Sequence, residues 1–152
     1  MEFISNSPEN TKQFAKDFLA GLSPKSGDRA TVVGLYGNLG SGKTTLTQCA
    51  AEILGIAEHI TSPTFVIMKT YNSQLTTNNR LKNLIHVDAY RLKNGEELRK
   101  LGFEKLLADP ANLILIEWAD LVIDILPPDH VKLYFEFVDE ITRKISFYSH
   151  CH

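Results

Sequence analysis

Gly37-Asn38-Leu39-Gly40-Ser41-Gly42-Lys43-Thr44 is the stretch on which the fold turns. It has the form G-x-x-x-x-G-K-[ST], the phosphate-binding P-loop. Thr31-Val32-Val33-Gly34-Leu35-Tyr36 before it is β-branched and apolar, which predicts a buried strand. Thr44 to Leu54 after it predicts a helix, with Leu46, Ala50, Ile53 and Leu54 on one face. Glycines let the backbone turn tightly and bring its N–H groups close to phosphate oxygens. The loop feeds a helix N-terminus, where unpaired N–H groups and the positive dipole end favour an anion. Lys43 adds a mobile point charge for the β- and γ-phosphates. The Thr44 hydroxyl is placed to ligate Mg²⁺, a cation that takes hard oxygen ligands. The competing reading is a chance glycine turn, against which the flanking strand and helix weigh. The motif points to a nucleoside triphosphate and is silent on its use.

The chain of 152 residues suits one domain, residues 1–152, with a core of its own. Its 43% hydrophobic and 22% charged residues are ordinary for a soluble globular protein. A net charge of −2 argues against a broadly basic nucleic-acid surface, though not against a local patch. Cys49 and Cys151 make no disulfide framework and suit a reducing compartment, with Cys49 a small packed residue. No apolar run approaches the roughly 20 residues that span a membrane. Met1-Glu2-Phe3-Ile4-Ser5-Asn6 lacks the basic and apolar regions of a signal peptide. The expectation is a cytoplasmic protein without a membrane partner.

Ser7-Pro8-Glu9-Asn10-Thr11 reads as a helix start, with Ser7 as cap, Pro8 in the first turn and Glu9 on the dipole. Phe14, Phe18 and Leu22 follow at helical spacing, and Gly55 ends the P-loop helix. Thr64 to Tyr71 predicts a strand, Asn72 to Lys82 a polar turn or loop, and Leu84 to Asp88 a second strand that forms a hairpin with the first. Gly95 to Ala108 reads as helical, with Leu98, Leu101, Leu106 and Leu107 apolar and a break near Gly102. Leu113-Ile114-Leu115-Ile116-Glu117 predicts a strand covered on both faces. Ala119 to Leu126 predicts a short helix stopped by Pro127-Pro128. His130 to Val138 and Ile141 to Tyr148 predict an antiparallel hairpin around Asp139-Glu140. Together they give an α/β fold: a P-loop, three-layer α/β/α arrangement with a mixed, partly parallel sheet and a C-terminal antiparallel hairpin.

Ligands of such folds sit outside the carboxyl ends of the parallel strands. Two strands end there in an acid, Asp88 and Glu117, and both resemble a Walker B element that delivers a carboxylate beside the nucleotide's Mg²⁺. Such an acid can ligate the metal, hold one of its waters, or position the attacking water. Alternatively, Asp88 starts a turn at Ala89-Tyr90-Arg91, and Glu117 serves the first turn of the next helix. Thr61-Ser62-Pro63-Thr64 lies where switch-type NTPases place a hydroxyl on metal or γ-phosphate, or is simply a Pro-containing turn. Trp118 either stacks on a base or partner, or fills the core.

These motifs in this order and spacing closely resemble the TsaE (YjeE) family of bacterial P-loop ATPases. The residues that carry the likeness are Gly37 to Thr45, Ser62-Pro63-Thr64-Phe65, His86-Val87-Asp88-Ala89-Tyr90-Arg91-Leu92 and Leu115-Ile116-Glu117-Trp118. The resemblance covers nearly the whole chain. It implies ATP/ADP and Mg²⁺ as cofactors and weak ATP hydrolysis stimulated by a TsaD–TsaB complex. That complex installs threonylcarbamoyl on the adenosine next to the tRNA anticodon, so tRNA is met only indirectly and the family is not the group-transfer catalyst. It further implies that Gly37, Asn38, Leu39, Gly40, Ser41, Gly42, Lys43, Thr44 and Thr45 hold the nucleotide with Thr11 and Trp118. Thr44 and Glu117 would serve the metal, and Lys43, Asp88, Glu117 and Thr64 the catalysis. Asn38 departs from the Asp of many members, keeping the turn but dropping a charge beside the phosphates. The Ser149-His150-Cys151-His152 end lies outside the family pattern and reads as frayed.

A small P-loop kinase acting on a metabolite is the main rival. It would need arginines to clamp the transferred phosphoryl, and Arg80, Arg91 and Arg99 form no lid segment. A nucleotide-gated binding module is the second rival. A GTPase is disfavoured because no Asn-Lys-x-Asp guanine signature is present. The chain shows no obvious arginine finger, so partner docking at the Thr61–Thr64 segment is expected to complete the site.

Overall fold

The computed structural model describes residues 1–22, 29–37, 42–61, 67–74 and 81–148. The described elements are β1 (Glu2–Ser5), α1 (Pro8–Gly21), β2 (Thr31–Gly37), α2 (Lys43–Ile53), β3 (Met68–Asn72), β4 (Asn83–Asp88), α3 (Gly95–Arg99), α4 (Phe103–Leu107), β5 (Asn112–Glu117), a 3₁₀ segment (Ala119–Ile125), β6 (Val131–Phe137) and β7 (Arg143–Tyr148).

The apolar runs of β2 and β5 cannot leave either face in water, so they take central places and are covered on both sides. Among the described residues the seven strands form one sheet in the order β1-β7-β6-β2-β5-β4-β3. β6, β2, β5 and β4 run parallel. β3, β7 and β1 add antiparallel pairings outside them. Side chains alternate between faces with period two. Val33, Leu35, Leu113, Leu115 and Leu133 pack with Phe14 of α1 and Leu46 and Ala50 of α2. Val32, Tyr36, Ile85, Ile114 and Ile116 pack with Leu98, Phe103, Ala119 and Val122 on the other side. The expected three-layer α/β/α architecture with its mixed sheet and C-terminal hairpin is present.

Local chemistry explains the ends of α1 and α2. The Ser7 hydroxyl caps α1 by accepting from the Asn10 N–H at 3.1 Å, with Pro8 and Glu9 in the first turn. Phe14 stacks on Phe18, which meets the edge of Phe147 on β7. α2 starts after Gly42, whose φ of +104° favours glycine. It ends before Gly55, at φ +70°.

One expectation needs correction, and one strand is additional to those expected. β1 was not foreseen: its four residues carry too little pattern, and pairing with β7 creates it. The strand expected from Thr64 begins at Met68, because Ile67 takes left-handed backbone at φ +67° and interrupts extended structure; residues 62–66 lie outside the described residues. As expected, the 95–108 stretch is helical with a break at Gly102, φ +92°, which parts α3 from α4; Leu101 beside the break is 47% exposed. The short helix expected after β5 is present as a 3₁₀ segment, Ala119–Ile125, with an irregular Val122. Cys49 is buried and unbridged, as expected. Cys151 and the rest of the 149–152 end lie outside the described residues. No helix among the described residues is long and apolar enough to cross a membrane.

Candidate functional site

Parallel pairing sets Asp88 opposite Glu117, and Glu117 opposite Leu35, so the carboxyl ends of β4, β5 and β2 meet at one edge of the sheet. Open α/β sheets bind ligands outside that edge. Here a cleft of about 770 Å³ opens, within the size range of small-molecule sites. Gly42, Lys43, Thr44, Thr45, Asp88, Glu117, Trp118 and Thr11 all line it. Among the sequence-expected residues described, only Gly37 is not part of the lining; its carbonyl instead receives a hydrogen bond from Lys43 Nζ. Asn38, Leu39, Gly40, Ser41 and Thr64, together with Ser62 and Pro63, lie outside the described residues.

The centre of the site is a carboxylate met by two donors. Glu117 is 4% exposed at the end of β5. The Thr44 hydroxyl at the start of α2 donates to both of its oxygens, at 3.0 and 3.1 Å. His86 Nε2 donates to Oε2 at 2.6 Å. Glu117 therefore does not cap the segment that follows, which has no side-chain cap. A hydroxyl that donates to a carboxylate keeps its lone pairs, so Thr44 and Glu117 together suit a hard divalent cation.

Asp88 is buried and fills two places at once. One of its carboxylate oxygens accepts from the Tyr90 N–H at 3.0 Å, the turn chemistry expected of it, and its side chain also lines the cleft. Its own N–H donates to the Ile67 carbonyl at 2.8 Å, which ties the strained residue before β3 to the acid.

Lys43 is 5% exposed, and its ammonium lies 3.9 Å from the centre of the Trp118 ring. Burial pushes its pKa below the ordinary lysine value, against the opposing pull of Glu117, Asp88 and Asp120. Trp118 is half-buried, and Tyr90 tilts against it with ring centres 5.1 Å apart. Its backbone is left-handed at φ +59°, the kind of strain that collects at functional sites. Neither of the two sequence readings of Trp118 is complete: the indole packs partly on the core and partly faces the cleft. The α2 N-terminus has glycine, Gly42, at its cap and no side-chain cap among the described residues, which leaves its first N–H groups at the cleft end of the helix.

Thr11 enters through α1. Ser5 donates to the Ser7 carbonyl at 2.9 Å, which leaves the Thr11 hydroxyl to donate to Ser5 Oγ at 2.6 Å. This wall was only partly legible. Ser5, Asn6 and Pro8, with Glu140 and Ile141 of the β6–β7 turn and Arg143 at the start of β7, line the cleft without having been foreseen. They are distant from the P-loop in sequence, and only the sheet order brings β1 and the hairpin turn beside it. The Arg143 stem packs 3.7 Å from where a Cβ on Gly42 would stand, and its guanidinium lies 4.5 Å from the Phe137 ring centre. His86 was also missed as a site residue, although its place two residues before Asp88 on the same face was a signal.

The profile of the family described as "Threonylcarbamoyl adenosine biosynthesis protein TsaE" matches residues 5–145. The chain is 37% identical over 144 residues to the tRNA threonylcarbamoyladenosine biosynthesis protein TsaE of Rickettsia felis, covering 94% of this chain and 77% of that one. It is 36% identical over 140 residues to the Bacillus subtilis protein of the same name, covering 92% and 80%. The crystal structure of YdiB from Bacillus subtilis superposes with a TM-score of 0.74 at 31% identity, covering 98% of this chain and 84% of the other. The chain therefore belongs to the TsaE family of tRNA threonylcarbamoyladenosine biosynthesis, a P-loop α/β family.

Proposed function

We propose that residues 1–152 act as one ATPase domain that binds ATP with Mg²⁺ in this cleft. It turns ATP over slowly alone and faster with the TsaD–TsaB complex, in support of threonylcarbamoyl formation on tRNA. The observation that carries this reading is the Thr44–Glu117 hydrogen bond at the N-terminus of α2, with Lys43 beside it.

Each residue has a part that follows from its chemistry. The α2 N-terminus and Lys43 would hold the phosphates, and the ammonium would move from Gly37 and Trp118 to them. Thr44 and Glu117 would hold Mg²⁺. Among the described residues no three His, Cys, Asp or Glu side chains converge as a metal site, which suits an ion whose remaining ligands are phosphates and water. Bound there, Mg²⁺ would offset charge on the β- and γ-oxygens. Asp88, across from Glu117, would orient the attacking water. Thr11 and Trp118 would contact the rest of the nucleotide.

The test is ATP hydrolysis by the purified protein, alone and with the cognate TsaB–TsaD pair. Stimulation that Lys43→Ala and Glu117→Gln both abolish is the expected result. Turnover by the isolated chain as fast as in the complex, or phosphoryl transfer to a metabolite, would sink the proposal.

A further inference from the structure

His86 is a buried imidazole that the proposed mechanism leaves without a part. It is 0% exposed on β4, on the same sheet face as Asp88 and Glu117. The register pairs it with Leu115, which makes Glu117 its diagonal neighbour across the β4–β5 pair. Nε2 bonds Glu117 Oε2 at 2.6 Å, while Nδ1 is buried without a partner among the described residues. A buried N–H left unpaired is costly, whereas a lone pair at that position costs less. The hydrogen therefore belongs on Nε2, aimed at the carboxylate. An apolar side chain would fill this core position without stranding a ring nitrogen. What histidine adds is one donor, and that donor faces Glu117.

We propose that His86 is a positioning residue for the metal-linked carboxylate. Its Nε2–H holds Glu117 in the orientation that also receives the Thr44 hydroxyl, and so sets the affinity of the nucleotide site for Mg²⁺. This rests on the reading that Thr44 and Glu117 serve Mg²⁺. Partners that orient a ligating side chain typically change metal affinity by roughly 10- to 100-fold when removed.

Equilibrium ADP binding tests this without turnover, measured across a series of free Mg²⁺ concentrations through the emission of Trp118, the sole tryptophan. His86→Leu removes the donor, and His86→Gln restores one at a similar reach. His86→Leu is expected to need about tenfold more Mg²⁺ for half of the gain in ADP affinity, with metal-free ADP binding unchanged. His86→Gln is expected to recover most of that loss. An unchanged Mg²⁺ dependence in His86→Leu overturns the proposal, as does equal weakening with and without Mg²⁺, or a glutamine no better than leucine. Glu117→Gln is measured alongside and should lose the Mg²⁺ gain. If it keeps that gain, the assignment of Glu117 itself is at fault rather than the part of His86 alone. Should the leucine variant not fold, ¹⁵N spectra of the wild-type histidines decide: a hydrogen on Nε2 of His86, with a resonance that moves when Mg²⁺ joins the ADP complex, supports the proposal. A hydrogen on Nδ1 overturns it.

Discussion

Tyr36 shows how one polar atom is accommodated inside the sheet. It is 9% exposed, and its hydroxyl donates to His130 Nε2 at 2.6 Å, while His130 Nδ1 donates to the Pro127 carbonyl at 2.7 Å. The tautomer is set by that relay. Burial first, then the nearby Tyr134 and Asp120, push the phenol from 10.0 up to about 12. Below pH 10 the phenol is protonated in both folded and unfolded chains, and its contribution is fully present. Between pH 10 and 12 the unfolded chain ionises first, so stability falls across that window by about 2 kcal/mol. Urea unfolding of wild type and Tyr36→Phe across this range checks it. The wild-type curve should fall more steeply, and parallel curves would remove the argument.

At the scale of the element, β2 must be both a core strand and a lead into the P-loop. Between Val32 and Tyr36 its alternation fills both faces with large side chains except at Gly34. A Cβ there would stand 2.8 Å from the Tyr36 ring and 3.1 Å from Ala119 Cβ. The glycine thus makes room for the Tyr36 ring and for the close approach of the 3₁₀ segment. Gly34→Ala is expected to destabilise by about 1–3 kcal/mol through overpacking, read as a lower urea midpoint at unchanged slope. Gly21 offers the contrast, with nothing among the described residues within 4 Å of an added Cβ at the end of α1. Gly21→Ala should leave the midpoint unchanged or raise it slightly. Equal midpoints for the two variants would show that the sheet relaxes around Gly34.

Across the whole molecule, stability should follow the order of the sheet. β2 and β5 sit at its centre under both helical layers, while β1 and β3 lie at its edges and are largely exposed. Amide hydrogen exchange should therefore be slowest in Val32–Leu35 and Leu113–Ile116, and fastest among the strands in β1 and β3. Ser5 holds the Thr11 hydroxyl at the cleft wall, so opening of β1 would loosen that wall while leaving the Thr44–Glu117 centre intact. Uniform exchange across the seven strands would mean that the sheet opens only as one unit.

The sequence alone determined the P-loop, its strand and helix, the two acidic strand ends, the C-terminal hairpin and the α/β class. These rest on short-range rules, because glycine conformations, a helix N-terminus and period-two or 3.6 alternation are written in neighbouring residues. Ile67 and the 3₁₀ form of the helix after β5 escaped them, since backbone strain and helix tightness are imposed by packing on the residues around them. The tertiary structure alone decided that β1 exists, that Ser5, Asn6, Ile141 and Arg143 stand at the cleft, and that His86 is directed at Glu117. Those facts depend on sheet order and register, and register is fixed only when strands far apart in the chain pair and bury a common face.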